Sequence, residues 1–301
     1  MTETGTPRVP PEAVHCCPPG RSRGRELLHV DCASHIYPDG SVGIHGMCFR
    51  VFEGEIVALC GGNGAGKSTL IEHLNGLLQP STGRILLDGE EIDGERRRDL
   101  WKTVGVVFQR PDDQLFAPTV REDIMFGLLN LGQSHDEAGK TASRTLEILG
   151  AADLAGKMPA YLSGGQKRLA AIAGVLAMRP RIMALDEPTS DLDPVHAEAI
   201  ERIIRDLRST HGISVVIATH DLDLAARLAD RVCLVKEGSI LAEGEPREIF
   251  YDGAVLARAG LPRPSVVCFF EELSRLAGGS PDARPLTHQE ILGWYREQVR
   301  R

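Results

Sequence analysis

The sequence has no run of apolar residues approaching the ~20 that cross a bilayer, and its opening residues carry no apolar signal core. The expectation is a soluble chain whose membrane role, if it has one, comes through a partner. Basic excess is missing too: the net charge is −8, which argues against a nucleic-acid partner held on a broad basic face. The seven cysteines include no Cys-x-x-Cys and no metal-ligand spacing, so they read as reduced thiols of a cytosolic protein. His15-Cys16-Cys17 could hold a soft metal, but it lies in a Pro/Gly-rich stretch with no further ligands nearby and reads as a disordered tail. Internal repeats are absent as well.

What is present is an α/β alternation. At 301 residues and 42% hydrophobic, the chain can bury a full core. Residues 1–26, rich in Pro, Gly and Arg, are expected to be disordered. Short apolar runs then alternate with helical patterns: EIVALC (55–60), RILLD (84–88), VGVVFQ (104–109), IMALDE (182–187) and SVVIATH (214–220). RVCLVKEGSILAEG (231–244) carries Glu237-Gly238 at its middle, as a hairpin does. Strands separated by helices predict a mostly parallel sheet, with the site at the strands' C-terminal ends. Residues from about 110 to 178 break this rhythm and predict a helical subdomain inserted into the core. One helix starts at Thr119 with Glu122 as a capping box. Another follows Ser163, with Leu169, Ile172, Ala173 and Leu176 on one face and Pro180 beyond its end.

Two stretches look built for anions. GGNGAGKST (61–69) places Gly61, Gly66, Lys67 and Ser68 in the phosphate-loop spacing, after a strand and before a helix. Backbone N–H groups of Gly61, Gly62, Asn63, Gly64, Ala65 and Gly66 can wrap phosphates, Lys67 neutralises them, and Ser68 offers its hydroxyl to Mg²⁺. The second stretch, LSGGQKR (162–168), puts Ser163, Gly164 and Gly165 at another helix N-terminus, a second place for an anion. In IMALDEPTSDLDP, Asp186 suits the Mg²⁺ shell, and Glu187 is placed to orient or deprotonate an attacking water. A glutamate beside the metal aspartate favours hydrolysis over transfer to an acceptor. Gln109 and His220 close two further strands, where the γ-phosphate of a nucleotide would lie. Tyr37, in HIYPDG, could stack on adenine.

In this order and spacing, the phosphate loop, the glutamine, LSGGQ, LDEPTSDLDP and THD resemble the ATPase subunit of an ABC transporter, a P-loop NTPase, from about residue 28 to 255. The resemblance implies ATP and Mg²⁺ as ligands, with Tyr37 on adenine and Gly61 to Thr69 on the phosphates. It implies Ser68, Gln109 and Asp186 around Mg²⁺, with Gln109 also on the lytic water. Glu187 would be the catalytic base and His220 the γ-phosphate switch. Leu162, Ser163, Gly164, Gly165 and Gln166 would be the signature that completes the ATP site of an opposing subunit, which Asp193 would touch. Two anion devices in one chain thus imply two chains.

FQRPDDQLFAPTVREDIMFGLLNLG (108–132), GGQKRLAAIAGVLAMRPRIMALDEPTS (164–190) and GEPREIFYDGAVLARAGLPRPSV (244–266) look like the energy-coupling-factor importers, particularly the cobalt/nickel type; the alternatives are a vitamin importer of that type or the ATPase of another ABC importer or exporter. The implied partners are a second ATPase subunit, self or paralogue, an integral-membrane coupling protein and a substrate-binding membrane protein. The implied location is peripheral, on the cytoplasmic face of the membrane. PDDQLF (111–116) would border the coupling protein's groove, with Leu115 and Phe116 as apolar contacts or, alternatively, as ordinary core. The ATPase domain is placed at 27–262, and 263–301 is read as a C-terminal extension that aids pairing. Asp191 departs from the small residue usual in its loop, and Cys60 is unusual before a phosphate loop. A soluble ABC ATPase acting on DNA or ribosomes fits poorly, because that class usually carries two cassettes or a long coiled-coil insertion.

Overall fold

The computed structural model describes residues 24–276 and 283–299. The expectations for residues 1–23, His15, Cys16 and Cys17 among them, lie outside the described residues.

In chain order, β1 (Glu26–Ile36), β2 (Val42–Phe52) and β3 (Ile56–Cys60) lead into α1 (Lys67–Leu74). Then come β4 (Thr82–Leu87), β5 (Glu90–Glu91), β6 (Val104–Val107), α2 (Val120–Asn130), α3 (His135–Ile148) and α4 (Gly164–Ala177). They are followed by β7 (Ile182–Asp186), α5 (Pro194–Ser209), β8 (Ser214–Thr219), α6 (Leu222–Leu228), β9 (Arg231–Lys236) and β10 (Ser239–Gly244). The chain closes with α7 (Pro246–Tyr251), α8 (Gly253–Ala259), α9 (Ser265–Leu276) and α10 (His288–Val299).

The strands form two sheets, and the larger runs β10-β9-β3-β8-β7-β6. It is parallel from β9 to β6, with β10 returning antiparallel across the Glu237-Gly238 turn. Both turn residues have positive φ, as a tight hairpin requires. The central strands are buried along their whole length, which is why they read as unbroken apolar runs and not as alternation. The second sheet, β2-β1-β4-β5, is antiparallel. It holds RILLD, which the sequence pattern had placed among the parallel strands, together with β1 and β2, which the pattern did not pick out.

The two sheets are joined by a buried charge network. Arg231, at the start of β9, donates to both oxygens of Glu55 (2.6 and 3.1 Å), to Glu243 (2.9 Å) and to the carbonyl of Arg50 (2.6 Å). Its guanidinium lies 5.7 and 5.3 Å from the ring centres of Phe49 and Phe52 on β2. A cation taken out of water is tolerable only with its donors satisfied in this way.

Helices α2, α3 and α4 pack on one another through Ile124, Leu128, Ala142, Leu146, Ala170 and Ala173. Thr119 caps α2 by accepting from the Glu122 N–H at 3.2 Å. Ser163 and Gln166 form a reciprocal capping box at the start of α4, each side chain accepting from the other's backbone N–H. At the other end of the chain, α9 and α10 bury Val267, Phe270 and Ile291 in a cluster with Phe250 and Leu256.

Candidate active site

β3 runs into residues 61–66 and α1 begins at Lys67, so the first turn of α1 points its N–H groups back toward the loop. Glycine is required here by space. A Cβ on Gly66, at φ +104°, would lie 2.6 Å from the carbonyl of Gly43, and one on Gly61 would lie 2.4 Å from the carbonyl of Val235. The Lys67 ammonium is buried and donates to the carbonyls of Gly61 (2.8 Å) and Gly62 (3.0 Å), 3.8 Å from Glu187 Oε1. Cys60, behind the loop, is fully buried with its thiol pushed up to about 12 by burial, so it serves as an apolar strand end.

Over this loop lies a cavity of about 420 Å³ lined by Tyr37, Val42, Gly43, Asn63 to Thr69, Gln109, Asp186 and Glu187. The loop, Gln109, Asp186 and Glu187 follow the ends of β3, β6 and β7, which the parallel sheet brings side by side, while Tyr37, Val42 and Gly43 come from the β1–β2 end of the antiparallel sheet. Tyr37, just past β1, shares a hydrogen bond of 2.9 Å with Thr69 Oγ1, and its ring lies against Gly43, where a Cβ would meet Tyr37 Cε2 at 2.8 Å.

Asp186 ends β7 and Glu187 follows it, and the two carboxylates accept from different partners. Asp186 bonds the Ser68 hydroxyl, and burial pushes its carboxyl above the ordinary range. Its Oδ1 is buried without a hydrogen-bond partner. A buried carboxylate oxygen beside a hydroxyl, at the edge of a cavity lined by a phosphate loop, is a donor set for a hard cation such as Mg²⁺. Glu187, at φ +46°, has its backbone tied to the Ala218 carbonyl at 2.8 Å. Its carboxylate accepts from Thr219 Oγ1 (3.2 Å), the His220 N–H (3.0 Å) and His220 Nδ1 (2.9 Å). His220 therefore joins the cavity through Glu187.

A family model described as ABC transporter matches residues 44–190. The energy-coupling factor transporter ATP-binding protein EcfA of Methanothermobacter thermautotrophicus is 46% identical over 271 residues, 88% of this chain and 86% of its own. The chain belongs to the ABC transporter ATPases.

As an ABC transporter ATPase, it hydrolyses ATP for a transporter. The EcfA of Methanococcus maripaludis is 47% identical, over 83% of this chain and 90% of its own. Among solved structures, cbiO1 from Clostridium perfringens, part of the ABC transporter complex cbiONQ, matches with a TM-score of 0.70 and 38% identity, covering 82% of this chain and 99% of that one. The ATP-binding cassette MJ0796, in a dimeric post-hydrolysis state bound to ADP and Pi, matches with a TM-score of 0.67 and 27% identity over 73% of this chain and 99% of its own. Within the family, the chain resembles the energy-coupling-factor type.

The residues read from the sequence as the signature are not among those lining the phosphate-loop cavity. Leu162 is buried among α2, α3 and α4, Ser163 and Gln166 cap α4, and Gly164 opens its first turn. Gly165 lies against His196, where a Cβ would meet the ring at 2.4 Å. Asp193 caps α5 and accepts from His196 Nδ1 at 2.5 Å; the His196 backbone and ring hold its carboxyl below the usual carboxylate range. Asp191 sits at φ +60°, a left-handed conformation that Asp tolerates better than most residues with a side chain.

Four contributors were not picked out from the sequence. Gly43 is needed for the Tyr37 contact, Thr219 for the Glu187 carboxylate, His196 for Asp193, and Arg168 for the Gln109 loop. Arg168 stood in plain view at the end of LSGGQKR; nothing in a single sequence marks a helical arginine as buried. Of the two proposed contacts in PDDQLF, Leu115 packs into the clusters around α4. Phe116 is 67% exposed and meets the 50% exposed Phe126 edge to face, ring centres 4.8 Å apart.

Proposed function

We propose that this chain is one of the paired ATPases of an energy-coupling-factor importer, docked beneath an integral-membrane coupling protein that works with a substrate-binding membrane protein, and that the cargo is cobalt or nickel ions. The observation that carries the catalytic part is the single cavity that gathers the phosphate loop, Tyr37, Gln109, Asp186 and Glu187. In this reading, Tyr37 stacks on adenine and the backbone of residues 61–69 wraps the phosphates. Lys67 transfers its donors from the Gly61 and Gly62 carbonyls to phosphate oxygens. Glu187 accepts the proton of the attacking water, and His220, already on its Oε1, senses the γ-phosphate. Mg²⁺, held by Ser68, Gln109 and Asp186, would neutralise charge on the phosphates; the orphaned Asp186 Oδ1 supports that assignment.

The signature, absent from its own cavity lining, supports pairing: Ser163 to Gln166 would close the partner's ATP, with Asp193 at the seam. The buried C-terminal helices α9 and α10 present Phe269, Leu292 and Tyr295 outward, which supports a pairing role for residues 263–301. The exposed Phe116–Phe126 pair is the apolar contact offered to the coupling protein. No helix among the described residues is long and apolar enough to cross a membrane, which suits a peripheral subunit on the cytoplasmic face. Resemblance to the cobalt/nickel-type importers over residues 108–132 and 164–190 supports the cargo.

The test mixes two inactive variants, Lys67→Ala and Ser163→Arg. A mixed dimer has one site carrying both lesions and one carrying neither, so activity returns on mixing. Silence, with mixed dimers demonstrated by crosslinking, refutes the shared site. For the cargo, cells expressing the chain with its membrane partners should accumulate labelled cobalt or nickel; uptake of a vitamin alone refutes that part.

A further inference from the structure

Arg168 is 3% exposed, and no carboxylate pairs with it among the described residues. Its guanidinium leaves the first turns of α4 and donates to two consecutive carbonyls, Phe108 O and Gln109 O, each at 2.7 Å. Its Nε is buried with no partner, and burial holds its pKa below that of a free arginine. A cation is costly to bury, and the planar fork of arginine presents a separate N–H to each of a pair of fixed acceptors. What this cation holds is the backbone on which Gln109 stands.

A second tie runs beside it. Lys167 Nζ lies 2.5 Å from Asp112 Oδ1. From within the loop, the Gln114 side chain accepts from the Phe108 N–H and donates to the Val106 carbonyl, both at 3.2 Å. Residues 106–114 are thus pinned from below by their own glutamine and from the side by α4. Ser163 caps α4 and Gly164 to Gln166 open its first turn.

We infer that Arg168 is a positioning residue which fixes the Gln109 loop of the chain's own ATP site to the helix bearing the signature it offers its partner, so that both move as one body. The inference rests on the reading of Gln109 as a site residue and of the signature as serving the opposing subunit.

The experiment is a double-mutant cycle on the full-length protein with Arg168→Met and Gln109→Ala, read by kcat and KM for ATP and by hydrogen exchange of peptides covering residues 107–116. Arg168→Met should raise exchange in that segment, leave KM unchanged and lower kcat on the order of 10–10²-fold, as misplacement of a site group does. In the Gln109→Ala background it should lower kcat no further, because the side chain it positions is gone. An additive loss, or unchanged exchange, overturns the inference. A silent Gln109→Ala removes Gln109 from the reaction, and Arg168 with it. An effective Gln109→Ala beside a silent Arg168→Met overturns the Arg168 inference alone. If Arg168→Met does not fold, Arg168→Lys decides: its ammonium ends short of the positions of the two guanidinium NH groups and cannot hold both carbonyls as closely, so exchange should still rise, and wild-type exchange overturns the inference.

Discussion

Replacing Glu187 by Gln changes little of the shape and most of the chemistry of the site. The carboxylate is buried and accepts from Thr219 Oγ1, the His220 N–H and His220 Nδ1. A glutamine can keep its oxygen on the two His220 donors and turn its NH₂ toward Thr219 Oγ1, which accepts. What disappears is the charge. Hydrogen bonds to a charged group exceed neutral ones by about 1 kcal/mol each, and the neutral amide is easier to bury. These opposing effects leave a net change near 1 kcal/mol and a melting shift of about 2–4 °C. Removing the proton acceptor should slow hydrolysis about 10²–10⁴-fold, which is about 2.7–5.4 kcal/mol of barrier. ATP binding should survive, because the phosphate loop and Asp186 are untouched. Phosphate release at saturating ATP measures the rate, and light scattering should find the variant as an ATP-bound dimer. A rate within a few-fold of wild type refutes the assignment, as does loss of ATP binding.

Tyr37→Ala should raise KM by the free energy of a stacked base, about 1–3 kcal/mol, while Tyr37→Phe loses only the Thr69 hydrogen bond; equal effects would assign the contribution to the hydroxyl and refute stacking. Paired Phe116→Ser and Phe126→Ser should spare melting temperature and basal hydrolysis but abolish copurification with the coupling protein, whereas Leu115→Ser should lower the melting temperature; the reverse pattern refutes the docking role. Gly165→Ala forces the His196 ring away and should cost about 1–3 kcal/mol by overpacking, seen in thermal melts; an unchanged melt would mean that His196 swings clear freely.

How much of this was legible in the sequence depended on how local each signal is. The phosphate loop and Asp186-Glu187 are contiguous and sit at the ends of fully buried strands, so spacing and apolar runs suffice to find them. β1 and β2 are each 11 residues long yet escape a period-two pattern. Register shifts between Val30 and Ala33 and between His35 and Ile36 break the alternation, and Cys32 sits at φ +48° within the first of them. RILLD is readable as a strand, but which sheet it joins is decided by pairing with Leu28 to Asp31, some 55 residues away. PDDQLF shows the same limit at finer scale: Leu115 and Phe116 are adjacent and equally apolar, and only the placement of α4 sends one inward and leaves the other out. Arg168 is the extreme case. Its burial is intelligible only once two carbonyls from β6's exit stand opposite it.

The ammonium of Lys67 has three protons, and two already rest on the Gly61 and Gly62 carbonyls. The cation thus acts as a template around which its own loop is wound, so the curvature of residues 61–66 is set during folding and not by the arriving nucleotide. The ordering entropy of the loop is settled in advance, and in the proposed reading the lysine's part in binding is an exchange of acceptors. It also makes the lysine a structural keystone. A variant lacking it removes a positive charge and, in the same stroke, the internal ligand that shapes the cradle, so the loss of affinity it causes measures the sum of the two.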